Sequence, residues 1–121
     1  MSLSNKNSPE KSTATTKPQR VFDGHNDMLY QLWTRGDQKG QLFLNSEPSI
    51  PLSITHHKAK SGGLAGGLFA IFVPANNQLE NQKVKGTINL SQPEAFQYTL
   101  DMLAIADYLN SAHGHSFRIC R

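Results

Sequence analysis

Residues 62–74 read GGLAGGLFAIFVP, and within them Leu68 to Val73 form an unbroken apolar run. Such a run, preceded by glycines and ended by Pro74, is typical of a strand buried on both faces of a parallel sheet. The preceding glycines leave room for a close approach by another backbone segment. The stretch therefore predicts a buried strand at 68–73 and an α/β fold.

The segment before this strand predicts a second strand followed by a helix. RVFDGH, residues 20–25, is predicted to be a short strand that ends at Gly24. After Asp27 the apolar side chains recur at helical spacing, which predicts a helix with Asp27 as a candidate N-cap. These side chains are Met28, Leu29, Leu32 and Trp33. The polar segments 45–53 and 76–89 are predicted to be loops, the first of them in part extended.

The clearest predicted helix covers residues 91–112. Ser91 and Glu94 fit a capping box at its start, and His113 and Gly114 suit its C-terminal end. Its predicted buried face consists of Phe96, Leu100, Met102, Leu103, Ala104, Ile105, Ala106 and Leu109. The order strand, helix, loop, strand, helix indicates a parallel α/β arrangement, in which two strands are too few to close or cover the sheet.

Residues 1–19 form a polar tail that is rich in Ser, Thr, Asn, Lys and Pro. Because such a segment buries too little apolar surface to offset its ordering entropy, we expect it to be disordered. The chain of 121 residues carries a net charge of +3, and much of the excess basic charge lies in or next to this tail. No stripe of Arg or Lys alternates with aromatic residues, so the sequence predicts no nucleic-acid partner.

The sequence also restricts disulfides and membrane insertion. Cys120 is the single cysteine, so no internal disulfide can form. No run of about 18 apolar residues is present, which predicts no membrane span. The first 20 residues lack the apolar core of a secretory signal, so we expect a cytoplasmic location.

A candidate metal site follows the first strand, in the triplet His25-Asn26-Asp27. Because side chains alternate along a strand, His25 and Asp27 are expected on one side and Asn26 on the other. An imidazole nitrogen and a carboxylate oxygen that converge there can bind one Zn²⁺. The alternative is structural: Asp27 caps the following helix and His25 is simply hydrogen-bonded. His56 and His57 are interpreted as exposed loop residues.

FDGHNDMLYQLW, residues 22–33, followed by GGLAGGLFAIFVP resembles the membrane (renal) dipeptidase family of zinc peptidases. The resemblance covers residues 21–121 and implies that residues 20–121 are the N-terminal part of a dipeptidase barrel. The implied fold is a (β/α)₈ TIM-type barrel, of which this chain holds the first two βα units. The family hydrolyses dipeptides with two zinc ions, and the match implies that His25 and Asp27 are zinc ligands. Asp23 becomes a candidate for a supporting hydrogen bond to them.

The resemblance also implies what this chain lacks. In the family a carboxylate, usually Glu, bridges the two zinc ions and two later histidines complete the second site, and the sequence ends at Arg121 before them. A barrel of this kind needs about 250 residues. We therefore expect no catalytic residue within this chain and no activity from it alone. The alternative is a non-catalytic remnant or a fragment that requires a second chain. Because the family is often dimeric, a homodimer is a further expectation.

Overall fold

The computed structural model describes residues 19–74 and 90–121. The predicted loop 76–89 lies outside these ranges, and so does the predicted tail apart from Gln19. The described residues form two strands, β1 (Val21–Asn26) and β2 (Leu64–Phe69). They also form four helices, α1 (Met28–Thr34), α2 (Gln41–Leu44), α3 (His56–Gly62) and α4 (Gln92–Ala112). None of these helices combines the length and apolar character needed to cross a membrane.

β1 and β2 pair in parallel and form the two-stranded sheet of the described residues. The α/β class and the parallel pairing are thus confirmed, whereas two strands do not by themselves establish a barrel. The register is irregular: Asp23 lies opposite Gly67 and Asn26 lies opposite Phe69. Three steps along β1 therefore match two steps along β2, which is the signature of a bulge with one extra residue in β1.

β2 begins and ends four residues earlier than predicted, and the expectation of burial on both faces is wrong. Leu68 is 61% exposed. The reason lies in the glycines: a Cβ added at Gly67 would be only 3.1 Å from the Cβ and carbonyl oxygen of Asp23. The glycine-containing segment pairs with β1 because it permits this approach. The apolar residues after it leave the sheet, and Ile71 and Val73 pack against the core.

The core lies mainly between α1 and α4. Its buried residues are Met28, Leu29, Leu32, Trp33, Phe43, Leu52, Met102, Ile105, Ala106 and Leu109. The Trp33 indole N–H donates to Asp101 Oδ2 at 3.3 Å, which links the two helices across 68 residues of sequence. Before α2 the chain turns at Gly40, whose φ of 62° favours glycine, and a Cβ there would lie 2.8 Å from Leu109 Cδ2.

α4 starts as predicted but buries only part of the apolar face that the sequence predicts. Ser91 Oγ accepts the Glu94 N–H at 3.2 Å and Glu94 Oε1 accepts the Ser91 N–H at 3.0 Å, so the capping box is confirmed. The residues predicted to be buried on it include four that are instead partly or well exposed, namely Phe96, Leu100, Leu103 and Ala104. Met102, Ile105, Ala106 and Leu109 make up the buried stripe.

The prediction that His56 and His57 lie in a loop is wrong, because both residues belong to α3. The helix begins after Thr55, whose buried hydroxyl accepts the Lys58 N–H at 3.1 Å. The Lys58 ammonium donates to the carbonyl oxygens of Ile50 at 3.2 Å and Leu52 at 2.7 Å. These bonds attach the preceding loop to α3, and α3 then leads directly into β2.

Candidate metal centre

His25 and Asp27 lie together where β1 ends and α1 begins. His25 Nε2 is 3.3 Å from Asp27 Oδ1, and the two side chains are 67% and 43% exposed. This is the carboxyl end of a parallel strand, where α/β proteins commonly collect their functional groups. The structure therefore brings together the two residues that the sequence marks as candidate zinc ligands, at a surface open to solvent.

The side chains of Asp23 and Asn26 support this junction from the other side. Asp23 Oδ1 accepts the backbone N–H of His25 at 3.2 Å, and Asp23 Oδ2 accepts from Asn26 Nδ2 at 3.0 Å. Asn26 Oδ1 accepts the N–H of Met28 at 3.1 Å. The hydrogen bonds of Asp23 thus go to the backbone of His25 and to Asn26. The strand alternation expected from sequence does not extend through this region.

The bulge in β1 explains why Asp23 and Asn26 meet. In a regular strand, residues three apart point to opposite faces. One extra residue between positions 23 and 26 restores the two side chains to the same side. Bulges often redirect side chains next to functional sites. The contribution of Asn26 was not predicted from the sequence, although an Asn side chain commonly accepts a hydrogen bond from the backbone N–H two residues later.

Asp27 occupies the N-cap position of α1, yet its side chain makes no capping hydrogen bond. Asn26 satisfies the N–H of Met28 in its place. The backbone of Asp27, with φ −112° and ψ 31°, has already left the extended conformation. Among the described residues, the carboxylate of Asp27 is thus directed to His25 and not to the helix, contrary to the capping alternative.

The distance between His25 Nε2 and Asp27 Oδ1 is the distance expected between two neighbouring ligand atoms of one zinc ion. With Zn–N and Zn–O bonds of about 2.1 Å and tetrahedral angles, the nitrogen and oxygen of two ligands lie about 3.4 Å apart. The 3.3 Å between His25 Nε2 and Asp27 Oδ1 fits this spacing. The residues present therefore fit part of a zinc site, because structural and catalytic zinc sites use at least three protein ligands.

No third ligand joins the pair within the part of the chain that the structure describes. Residues 19–74 and 90–121 contain no group of three or more His, Cys, Asp or Glu residues that could hold a metal ion. Four further histidines, namely His56, His57, His113 and His115, therefore do not complete the site. Cys120 is exposed and lies near the end of the chain.

An open cleft of about 360 Å³ lies beside the site, between β1 and α3. Asp23 and Gly24 contribute to its wall together with Phe22 and Lys58, and His25 and Asp27 are not among its lining residues. The cleft therefore borders the junction at Asp23 and Gly24.

Comparison with known proteins identifies the family. The model of the membrane dipeptidase family (peptidase family M19) matches residues 10–121. A protein of Acinetobacter calcoaceticus described as "Uncharacterized protein in PQQ-III 3'region" is 28% identical over 108 residues, covering 83% of this chain and 33% of that protein. The chain thus spans about a third of the length of this relative, and no solved structure gave a significant match. Since the family model covers nearly all of it, the chain belongs to the membrane dipeptidase family.

Proposed function

We propose that this chain supplies the first two zinc ligands, His25 and Asp27, of a metallo-dipeptidase. The observation that carries the proposal is the 3.3 Å separation of His25 Nε2 and Asp27 Oδ1 at the carboxyl end of β1, in a chain of the membrane dipeptidase family. The spacing supports binding of one ion by both side chains. Their exposure supports access by an ion and by further ligands.

In this proposal the chain's residues bind and orient, and the reaction they serve is dipeptide hydrolysis. A zinc ion, when bound, lowers the pKa of a bound water and polarises the peptide carbonyl. The imidazole of His25 offers Nε2 and the carboxylate of Asp27 offers Oδ1, with a negative charge that favours a cation. Asp23 holds the backbone of His25 through its N–H and so supports the first ligand.

The finer structural proposal is that β1, α1, β2 and α4 belong to a (β/α)₈ barrel. The parallel pairing, and the position of the candidate ligands at a strand's carboxyl end, support it. The remaining ligands of a two-zinc site would come from other parts of such a barrel. The alternative is that the 121 residues are non-catalytic or require a second chain, and the absence of a third ligand from the described residues favours it for this chain alone.

Zinc titration and a dipeptide hydrolysis assay test the proposal together. The 121-residue chain is compared with a form extended to full barrel length by downstream family sequence. We expect weak zinc binding and no hydrolysis from the chain, and zinc-dependent hydrolysis from the extended form. His25→Ala should abolish hydrolysis in the extended form and weaken zinc binding in both.

His57→Ala is the matched control, because His57 is an exposed histidine on α3 outside the site. It should leave zinc affinity and hydrolysis unchanged. Hydrolysis by the 121-residue chain would contradict the proposal that further zinc ligands are needed. Zinc binding that is insensitive to both His25→Ala and Asp27→Asn would contradict the assignment of the ligands.

A further inference from the structure

The side-chain amide of Asn26 lies at the junction between β1 and α1, and its hydrogen-bond partners determine its orientation. The N–H of Met28 can face only an acceptor, so the carbonyl oxygen of the Asn26 amide must lie there, at 3.1 Å. The Asn26 NH₂ group then points to Asp23 Oδ2 at 3.0 Å. Both bonds are partly buried, so they are less exposed to competition from water than bonds at the surface.

The hydrogen bonds of Asp23 and Asn26 join residues on both sides of the two candidate ligands, His25 and Asp27. Asp23 precedes His25 and holds its backbone N–H at 3.2 Å, and Asn26 stands between His25 and Asp27. Through Met28, the Asn26 side chain also fixes the backbone immediately after Asp27. The chain of contacts from Asp23 through Asn26 to Met28 therefore encloses the turn that brings His25 Nε2 to Asp27 Oδ1.

We infer that Asn26 is a positioning residue that, together with Asp23, sets the His25–Asp27 geometry for metal binding. Neither side chain need touch the ion. Their effect is to hold the bulged backbone in the one conformation that brings His25 Nε2 close to Asp27 Oδ1. The inference rests on the proposed function where zinc is concerned, whereas the contact between His25 Nε2 and Asp27 Oδ1 can be measured without zinc.

An exchange of the two side chains provides a sharp test. In Asn26→Asp, two carboxylates face each other where an amide donated to a carboxylate. In Asp23→Asn, every orientation of the two amides leaves one hydrogen bond unmade: the bond from the His25 N–H, the bond from the Met28 N–H, or the bond between positions 23 and 26. In the double variant the amide at position 23 donates to the carboxylate at position 26, whose other oxygen accepts from Met28. The double variant thus restores all three bonds, and only the bond between positions 23 and 26 has its donor and acceptor exchanged.

Two measurements show how these substitutions change the contact between His25 and Asp27 and the affinity for zinc. In the metal-free chain, the nuclear Overhauser effect between the His25 ring and the Asp27 β protons should weaken in each single variant and return in the double variant. In a titration with Zn²⁺ alone, followed by the His25 Hε1 shift, each single variant should bind about tenfold more weakly. The double variant should recover to within about twofold of the original chain. Emission from the buried Trp33 verifies folding in every case.

A merely structural role would lower thermal stability in the single variants and leave the His25–Asp27 contact unchanged, and this result would overturn the inference. Failure of the folded double variant to recover either signal would overturn it as well. If the original chain binds no zinc at His25, the proposed function fails, and the metal-free contact still decides the positioning role. The two proposals therefore fail separately.

Discussion

Gly67 lies where β2 passes closest to β1, directly opposite Asp23. A Cβ at this position would meet the Cβ and the carbonyl oxygen of Asp23, each at 3.1 Å, and the backbone oxygen has little freedom to move. Gly66, its neighbour, has more space: the nearest atom to a Cβ there is a ring carbon of Phe22 at 3.4 Å. Neither glycine has a positive φ, so the difference between them is one of space.

The first prediction concerns this pair of glycines. Gly67→Ala should lower the free energy of unfolding by about 1–3 kcal/mol, because the added methyl group overpacks the strand contact. It should also shift the NMR signal of the His25 N–H, which is bonded to Asp23. Gly66→Ala is the control and should be neutral or stabilising by up to about 1 kcal/mol, since alanine orders more readily than glycine in a strand. Denaturant unfolding followed by Trp33 emission measures both variants, and equal losses from the two would refute the spatial argument.

At the scale of elements, the start of α4 carries a pH-dependent cap. The pKa of Glu94 is held below its usual value of 4.5, first because its carboxylate accepts the backbone N–H of Ser91 and second because it accepts from the Ser91 hydroxyl. The folded chain therefore binds this proton less readily than the unfolded chain does. The cap contributes stability above the usual pKa and loses it as the pH falls through the lowered value.

The resulting prediction is a change in the Ser91 amide proton shift as the solution is acidified below pH 4.5, with its midpoint on the acid side of that value. In Glu94→Gln the side-chain amide oxygen can still accept, and the shift should lose this dependence on pH. Asp107→Asn removes another exposed acidic residue from the same helix and should leave the midpoint unchanged. A midpoint at or above 4.5 in the original chain would contradict the assigned cause.

Some elements were predictable because their signals are local. α4 was predictable from its capping box, and β1 and α1 from the change of apolar spacing at Asp27. β2 was misplaced because strand propensity disfavours glycine, whereas the tertiary contact with Asp23 requires it. α3 was missed although Thr55 and Gly63 are a recognisable cap and stop.

The candidate site was predictable as a pair of residues but not as a geometry. His25 and Asp27 were identified from the spacing of the two residues and from family resemblance, and the structure places them within 3.3 Å of each other. The bulge that joins Asp23 to Asn26 depends on pairing with Gly67 and Phe69 of β2, which lie 44 and 43 residues later in the chain, and local sequence does not encode it. Which face of α4 is exposed also depends on contacts between distant parts of the chain. The helix carries two apolar stripes, and packing against α1 buries one of them.

At the scale of the whole molecule, several large apolar side chains remain exposed. Phe22 and Leu68 on the sheet are 65% and 61% exposed, and Phe96 and Leu103 on α4 are 57% and 46% exposed. Within the described residues the sheet has only two strands, so each has an outer edge without a strand partner. Parallel sheets are normally covered on both faces, and such surfaces and edges favour association.

We therefore predict that the 121-residue chain associates with itself as its concentration rises, which sedimentation velocity will measure. Phe22→Ser combined with Leu68→Ser should reduce the association, because these residues lie on the open sheet. Phe96→Ser combined with Leu103→Ser provides the comparison on α4. Trp33 emission again verifies folding. A mass that stays monomeric at all concentrations, together with a sharp cooperative melt, would contradict the prediction.

The bond between Trp33 and Asp101 has a consequence for biosynthesis. Translation proceeds at about 5–20 residues per second, so the 68 residues between them take roughly 3 to 14 s to synthesise. A nascent chain that has just left the ribosome at Trp33 carries both His25 and Asp27 but none of the α4 side chains that cover α1. β1 and α1 are thus synthesised before the helix that covers α1, and we expect zinc in the cell to meet the two candidate ligands, His25 and Asp27, before α4 is in place.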